Sequence, residues 1–321
     1  MGDRRVLHVV SVSSGKDSTA TLLLALERCL PGTMVPIFCD TGNEDAEVYS
    51  YLDYLERVLG ITIHRLKADF TDRFAAKRMF IARDRRTRRD RRGRRVRWTN
   101  KAKRRALAHL HPTGNPFLDL CMLKGRFPSR KAQFCTEELK RNVAVEFQME
   151  LMDQGFNVVS WQGVRRDESE ARRNAKKIER VAPKLWCFRP IVDWTVEQVF
   201  AAHRSRDIEP NPLYRQNMSR VGCMPCINCQ KEELRTISVR KVDHIYRVAD
   251  WERLVGACSK RGFSTFFSDS HSAPDRRQIF TDLNVWTRVE WSKTSRGGRQ
   301  YNLLAGLDDN KACASAHGLC E

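Results

Sequence analysis

From Val6 to Ser13 the chain reads VLHVVSVS, a β-branched apolar run of the kind that is buried inside a sheet. Leu22, Leu23, Leu24 and Leu26 then follow in a segment that predicts a helix from about Asp17 to Cys29. The pattern repeats: MVPIFCD (34–40) predicts a strand, Glu44 to Leu59 a helix, and ITIHRLK (61–67) a third strand. Further along, a helix is expected from about Ser129 to Gln154, strands in FNVVSWQGV (156–164) and LWCFRPIVDW (185–194), and a helix opening at Thr195. Short strands alternating with helices require right-handed crossovers, so the expected fold class is α/β, a doubly wound parallel sheet.

Two stretches break the alternation. Between Ile81 and Arg105 stand fourteen Lys or Arg and two Asp, a local +12 out of a net +19. After Glu232, Trp251, Phe263, Phe266, Phe267, Trp286 and Trp291 follow no clear period, which predicts a smaller, mainly helical C-terminal region. The expected organisation is one α/β unit over 1–231 with a basic insertion at 77–110, then a helical region over 232–321. No internal repeat is visible.

Composition narrows the class. With 41% hydrophobic and 9% aromatic residues among 321, the chain can bury an ordinary globular core, whereas 30% charged residues with a +19 excess point to a polyanionic partner. No window approaches the roughly 18 apolar residues of a membrane span, and the start, with Asp3-Arg4-Arg5 before few apolar positions, is too short for a signal peptide. A cytoplasmic protein with no membrane partner is expected. Within the insertion Arg outnumbers Lys twelve to two, and Arg makes bidentate phosphate contacts while Trp98 offers a stacking surface. We expect nucleic acid, DNA or tRNA, to bind through Arg83–Arg105, with a merely solvated arm as the alternative.

Eleven cysteines, an odd number, argue against a complete disulfide set and turn attention to metal or redox chemistry. Cys223, Cys226 and Cys229 lie in CMPCINC, two C-x-x-C pairs sharing a cysteine, shaped by Gly222 and Pro225. Three thiolates at this spacing can converge on one metal or cluster. Most of the scattered cysteines read as small core residues.

At the end of the first strand stands Ser13-Ser14-Gly15-Lys16-Asp17-Ser18. A strand ending in small residues at a helix start presents free N–H groups beside the positive end of the helix dipole, an anion site suited to phosphate. Gly15 permits close approach, the serines offer hydroxyls, and Lys16 adds a mobile charge. The Walker A spacing is absent, and a plainly capped turn is the alternative.

The string resembles the S-G-G-x-D-S pyrophosphate loop of the N-type ATP pyrophosphatases, with Ser14 where the first Gly usually stands. FCDTGNEDAEVYSYL (38–52), WQGVRRDESEARR (161–173), RPIVDWTVEQVF (189–200) and NPLYRQNMSRVGCMPC (211–226) resemble, in order, segments of the phosphoadenylylsulfate (PAPS) reductase branch of that adenine nucleotide alpha hydrolase superfamily. The resemblance covers about residues 6 to 229. It implies nucleotide contacts from Ser13, Ser14, Gly15, Lys16, Asp17, Ser18, Asp40, Thr41, Gly42, Gly163, Arg165 and Arg166, with catalytic roles for Lys16, Asp17 and Arg165. Reductases of the branch typically lose the pyrophosphate loop, so its retention here implies ATP, cleaved between the α- and β-phosphates. Mg2+ is expected to bridge the oxygens, with Asp17 or Asp40 helping to hold it.

The same resemblance supplies a fourth thiol, Cys135 in FCTEELKR, 88 residues before Cys223. Cluster-bearing sulfonucleotide reductases pair such a segment with a later C-x-x-C, although they carry two adjacent cysteines where this chain has Phe134 and Cys135. Cys135, Cys223, Cys226 and Cys229 are therefore the expected ligands of a [4Fe-4S] cluster, with zinc or free redox-active thiols as alternatives. Cys320 near the end could be a tail nucleophile, as in cluster-free reductases, or a frayed terminal thiol.

The expected activity is ATP-dependent adenylation coupled to sulfur transfer onto a nucleic acid, by analogy with the sulfurtransferase subunit of DNA phosphorothioation systems. A sulfur-donor protein such as a cysteine desulfurase is a possible partner. The alternatives are a phosphoadenylylsulfate or adenylylsulfate reductase making sulfite, and a non-catalytic nucleic-acid-binding module.

Overall fold

In the computed structural model, which describes residues 5–89, 93, 95–267 and 283–294, the opening apolar run becomes β1 (Val6–Ser11) and the leucine-rich segment α1 (Lys16–Arg28). β2 (Met34–Asp40), α2 (Ala46–Leu59) and β3 (His64–Lys67) follow. The basic insertion contains α3 (Thr71–Arg83), a short ribbon of β4 (Arg88–Arg89) and β5 (Arg95–Val96), and α4 (Asn100–His109). Next come α5 (Pro116–Lys124), the single turn α6 (Phe134–Thr136), a π-turn at Glu137–Arg141, and α7 (Asn142–Asp153). β6 (Asn157–Trp161), β7 (Ile178–Ala182), β8 (Leu185–Phe188) and α8 (Val196–Arg204) complete the α/β part. α9 (Lys231–Arg240), α10 (Val242–Cys258) and α11 (Val285–Ser292) form the C-terminal helical region.

Six of the strands form one sheet in the order β3-β2-β1-β6-β8-β7, apart from the β4–β5 ribbon. Every neighbouring pair is parallel except β7 and β8. The sequence pattern predicts a wholly parallel sheet; the antiparallel edge arises because only Pro183 and Lys184, the latter at φ 65°, separate β7 from β8, too few residues for a crossover. β3 also starts later than the pattern predicts, and the helix expected from Ser129 begins at Phe134 and passes through the π-turn.

Alternate residues of β1 face opposite layers. Val9 packs with Ile37, Val158 and Leu185 against Phe147 and Leu151 of α7, while Val10 packs with Leu22, Phe38 and Leu52 on the other face. Helices on both faces make the sheet doubly wound.

The insertion is a folded element joined to the C-terminal region. Arg78 donates to the carbonyls of Leu107 and Leu110, and Lys103 to that of Ala82, so part of the positive charge caps helix ends. Arg105 donates to the Ala257 and Ser259 carbonyls at the end of α10. The Trp251 ring of α10 stacks on Phe117 of α5 at 5.5 Å. Trp98, expected as an exposed stacking surface, is only 8% exposed and lies beneath Lys260. Among the described residues no helix is long and apolar enough to cross a membrane. Cys313 and Cys320 lie outside the described residues.

Candidate nucleotide and cysteine site

β1 is flanked by β2 on one side and β6 on the other, so its C-terminal end is the topological switch point where open α/β sheets bind ligands. The turn into α1 lies there. Gly15 is the N-cap and carries no capping side chain, so closure of the first-turn N–H groups of α1 falls to other residues, the Lys16 N–H being held by the Tyr214 hydroxyl.

Side chains stitch the turn internally. The Ser13 N–H and hydroxyl both donate to Ser18 Oγ, at 3.0 and 3.1 Å, and the Ser18 hydroxyl donates to the Gly15 carbonyl at 2.9 Å. These two serines thus shape the loop with the hydroxyls expected to greet a ligand. Ser14 stands at φ 58°, in the left-handed region, which explains why a glycine is usual there; its Oγ is buried without a partner among the described residues. An orphaned hydroxyl inside an anion turn is a donor that a bound phosphate would satisfy.

Asp17 is bracketed by two cations. Lys16 Nζ lies 2.8 Å from Oδ2 and Arg165 Nε 2.5 Å from Oδ1, all three side chains being buried. Arg165 is itself tethered by Asp167 at 2.6 Å and by the Trp194 carbonyl. This convergence depends on Gly163, where a Cβ would fall 2.8 Å from the Asp17 carbonyl oxygen and 2.9 Å from the Ser18 nitrogen. Arg166, by contrast, turns outward to Asp193 and the Ala175 carbonyl and is not brought to Asp17.

Two residues outside the expected set support the turn from beneath. Tyr214 accepts the Lys16 N–H at 3.0 Å, and His203 donates Nε2–H to the Lys16 carbonyl at 2.9 Å. Burial lowers the His203 pKa and raises that of Tyr214, so both stay neutral. NPLY was legible as a segment, but nothing in it told which atom its tyrosine would hold; His203, in the middle of an amphipathic helix, gave no signal.

The D-T-G turn after β2 forms the opposite wall. Asp40 Oδ1 accepts the Gly42 N–H and the Tyr49 hydroxyl, both at 2.8 Å. Gly42, at φ 74°, packs so closely on α5 that a Cβ would meet Asn115 and Pro116 at 2.9 Å. Thr41 donates its hydroxyl to Glu44 at 2.7 Å and lies 3.5 Å from Cys223 Sγ. Asn43 and Glu44 then clamp the cysteine loop: the Met224 N–H donates to the Asn43 carbonyl at 2.7 Å, and Asn43 Nδ2 to the Pro225 carbonyl at 3.1 Å. Arg247 of α10 closes the clamp, bonding Asn43 Oδ1 and the Met224 carbonyl. The buried Asp45 beside it would be raised by burial, but hydrogen bonds from His244, the Glu47 N–H and Lys241 hold it well below the usual carboxylate range.

The cysteines gather at this wall. Burial raises the pKa of Cys135, Cys223 and Cys229, and the charge of a neighbouring Cys226 adds to the rise in each. Burial pushes Cys223 up to about 11, against the pull of Lys140, and Cys229 higher still. Lys140, in the π-turn just after Cys135, is a half-buried cation whose charge is favoured first by Cys223. Arg220, exposed before the loop, is near enough to act on Tyr214, Cys229 and Lys140. Among the described residues no three His, Cys, Asp or Glu side chains are close enough to hold a single metal ion. The donor set is four thiols from α6 and one loop, with Lys140 acting on Cys135 and Cys223, and thiols are the soft ligands that iron and zinc take.

Fold and turn together define a nucleotide-binding α/β protein. The chain belongs to the phosphoadenosine phosphosulfate reductase domain family, whose profile matches residues 7–229. It is 47% identical over 327 aligned positions to the "Uncharacterized 37.8 kDa protein in gpa 5'region" of Escherichia phage 186, covering 98% of this chain and 97% of that one. It is 36% identical over 72 residues to the adenosine 5'-phosphosulfate reductase of Staphylococcus epidermidis, a match that spans 21% of this chain and 29% of the reductase. The crystal structure of the PAPS reductase from Candida auris aligns with 66% of this chain and 77% of that one, at 15% identity and a TM-score of 0.37.

Proposed function

We propose that the protein is an ATP-dependent adenylating enzyme of this family that couples pyrophosphate release to sulfur transfer onto a nucleic acid, in the cytoplasm, with a [4Fe-4S] cluster on Cys135, Cys223, Cys226 and Cys229. An acceptor oxygen attacks the α-phosphorus, the bond from that phosphorus to the bridging oxygen breaks, and pyrophosphate leaves with the electron pair. The adenylated acceptor then loses AMP to an incoming sulfur nucleophile delivered by a donor protein such as a cysteine desulfurase. Lys16 and the first-turn N–H groups hold the leaving pyrophosphate, and Arg165 offsets charge developing on the α-phosphate. Mg2+ would supply Lewis-acid polarisation of the phosphates; Asp40 suits it better than Asp17, which already bridges two cations.

The observation that carries the reading is the 3.5 Å approach of the Thr41 hydroxyl to Cys223 Sγ, which sets the D-T-G turn against one of the four thiols. A cluster held by Cys135, Cys223, Cys226 and Cys229 would supply sulfur-ligating iron beside the D-T-G turn. Zinc in place of iron is the alternative for the four thiols.

The test is pyrophosphate release from ATP by anaerobically purified protein with single-stranded DNA or tRNA present. Release above the nucleic-acid-free level that disappears in Lys16→Ala supports the proposal; none with either acceptor sinks it. One observation favours reduction of a sulfonucleotide: the Tyr214 hydroxyl takes the Lys16 N–H that a pyrophosphate would use. On that reading adenylylsulfate or its 3'-phosphorylated form yields sulfite with a thiol reductant, and ATP yields nothing.

A further inference from the structure

Between the basic ribbon, the end of α5 and the end of α10 lies a cavity of about 690 Å³. Seven Lys and Arg side chains line it, among them Lys77, Arg86, Lys124, Arg126 and Lys260, with no carboxylate among the described lining residues. Compensation is sparse: the buried Asp84 serves Arg86 and Lys260, and Glu138 serves Lys124. Burial and the charges of Lys124, Lys260 and Arg73 already lower the Lys77 pKa, so the cations repel one another across the cavity. A protein keeps such a site against its own stability only where an anion relieves it.

Phe80 also lines this cavity. It is 42% exposed, with Lys77 Nζ 5.5 Å from its ring centroid and the Arg86 guanidinium 4.8 Å away. A part-exposed aromatic with a guanidinium and an ammonium over its ring offers a planar stacking surface and positive charge together, which is what a base and its flanking phosphates require. The volume accommodates a nucleotide or two but not a duplex, whose bases are already stacked on each other and turned away from such a platform.

The cavity also has a direction. Lys124 and Arg126 continue into a second cavity of about 500 Å³ lined by Phe134 and Thr136, the two residues that flank Cys135. A strand seated on Phe80 could therefore continue along Lys124 and Arg126 to Phe134 and Thr136, a cavity that Glu137 also lines and Cys135 itself does not.

We infer that this cavity binds single-stranded nucleic acid, with a base stacked on Phe80 and its phosphates on Lys77, Lys124 and Arg126. This deepens the proposed function and rests on its nucleic-acid acceptor. It also moves the recognition point from the arginine-rich ribbon to the cavity beneath it.

The experiment is fluorescence anisotropy of the full chain, without ATP, with oligothymidylate and oligouridylate of about twelve nucleotides. Phe80→Ala should weaken binding of the preferred oligomer at least fivefold, and Lys124→Ala/Arg126→Ala should reduce the slope of log affinity against log salt by about one to two. Circular dichroism and thermal melting verify that each variant is folded; if Phe80→Ala does not fold, Phe80→Leu replaces it, keeping the bulk and losing the stacking face. An affinity unchanged by loss of the aromatic, a duplex competing as well as the single strand, or polyglutamate binding with equal dependence on Phe80 would each overturn the inference. Because no nucleotide is present, binding that depends on Phe80 in a protein that never releases pyrophosphate would refute the proposed reaction and leave the cavity assignment standing.

Discussion

Arg165 and Asp17 are 148 residues apart in sequence and meet at 2.5 Å with both side chains buried. Lys16 alone cannot replace this partner, because its ammonium already sits on the other carboxylate oxygen. Arg165→Met should therefore cost about 3 kcal/mol of stability, the scale of a buried charge left without one of its partners. Urea unfolding measures it. Asp17→Asn in the same background should recover part of the loss, and equal effects of the two changes in single and double variants would show the pair to be uncoupled.

Two glycines near that pair make opposite predictions. A Cβ on Gly163 would collide with the backbone of Asp17 and Ser18, which cannot swing aside as a side chain can, so Gly163→Ala should destabilise by about 1–3 kcal/mol and open the turn. A Cβ on Gly15 would find Tyr214 Oη at 3.5 Å, an ordinary contact, and φ there is −84°. Gly15→Ala should fold normally and keep its ATP affinity within about threefold, because the methyl would lie at ordinary distances against Tyr214 Oη and Ser13 Oγ. Calorimetric titration with ATP, read beside thermal melts, separates the outcomes; loss of stability in Gly15→Ala would contradict the account of the turn.

Much of this was legible beforehand, for identifiable reasons. The strand–turn–helix units announced themselves through β-branched runs and leucine spacing, and the anion turn through small residues at a strand end. β7 escaped because IERVA has no apolar face to bury: its five residues are exposed or half-buried at the sheet edge. The insertion's charge misled in a different way. Composition registers Arg78, Lys103 and Arg105 only as positive, whereas their hydrogen bonds to carbonyls make them internal fasteners. Glu44, Asn43 and Arg247, which contact the cysteine loop, were invisible because each acts on a segment distant in sequence, and no local spacing encodes that.

The thiol group yields a metal prediction. Protein purified without oxygen should carry about four iron and four sulfide per chain and absorb broadly near 400 nm. Cys135→Ser, Cys223→Ser, Cys226→Ser and Cys229→Ser should each lose most of the iron, while Cys187→Ser, changing a buried thiol on β8, should keep it. Lys140→Met should lower iron occupancy by removing the cation nearest in effect to Cys223. Stoichiometric zinc with no visible absorption would replace the cluster by the alternative metal.

Glu252 gives stability a pH dependence whose sign is fixed. Burial pushes its carboxyl up to about 7, although the N–H groups of Phe266 and Val285 donate to its two oxygens and pull the other way. Against an ordinary value of 4.5, the folded chain holds a proton that the unfolded chain has released. The stabilisation is therefore complete below about pH 4.5, falls as pH rises, and is gone above about pH 7. Its size is on the order of 3 kcal/mol, since each tenfold gain in proton affinity on folding is worth about 1.4 kcal/mol. Glu252→Gln cannot ionise, so its stability should fall less than that of the native chain between about pH 5 and pH 8, even though its amide can accept only one of the two N–H bonds. Urea titrations of both proteins across that window provide the comparison. Other groups titrate alike in the two chains and cancel in the difference, so parallel curves would mean that Glu252 is ionised throughout and that its two N–H donors outweigh its burial.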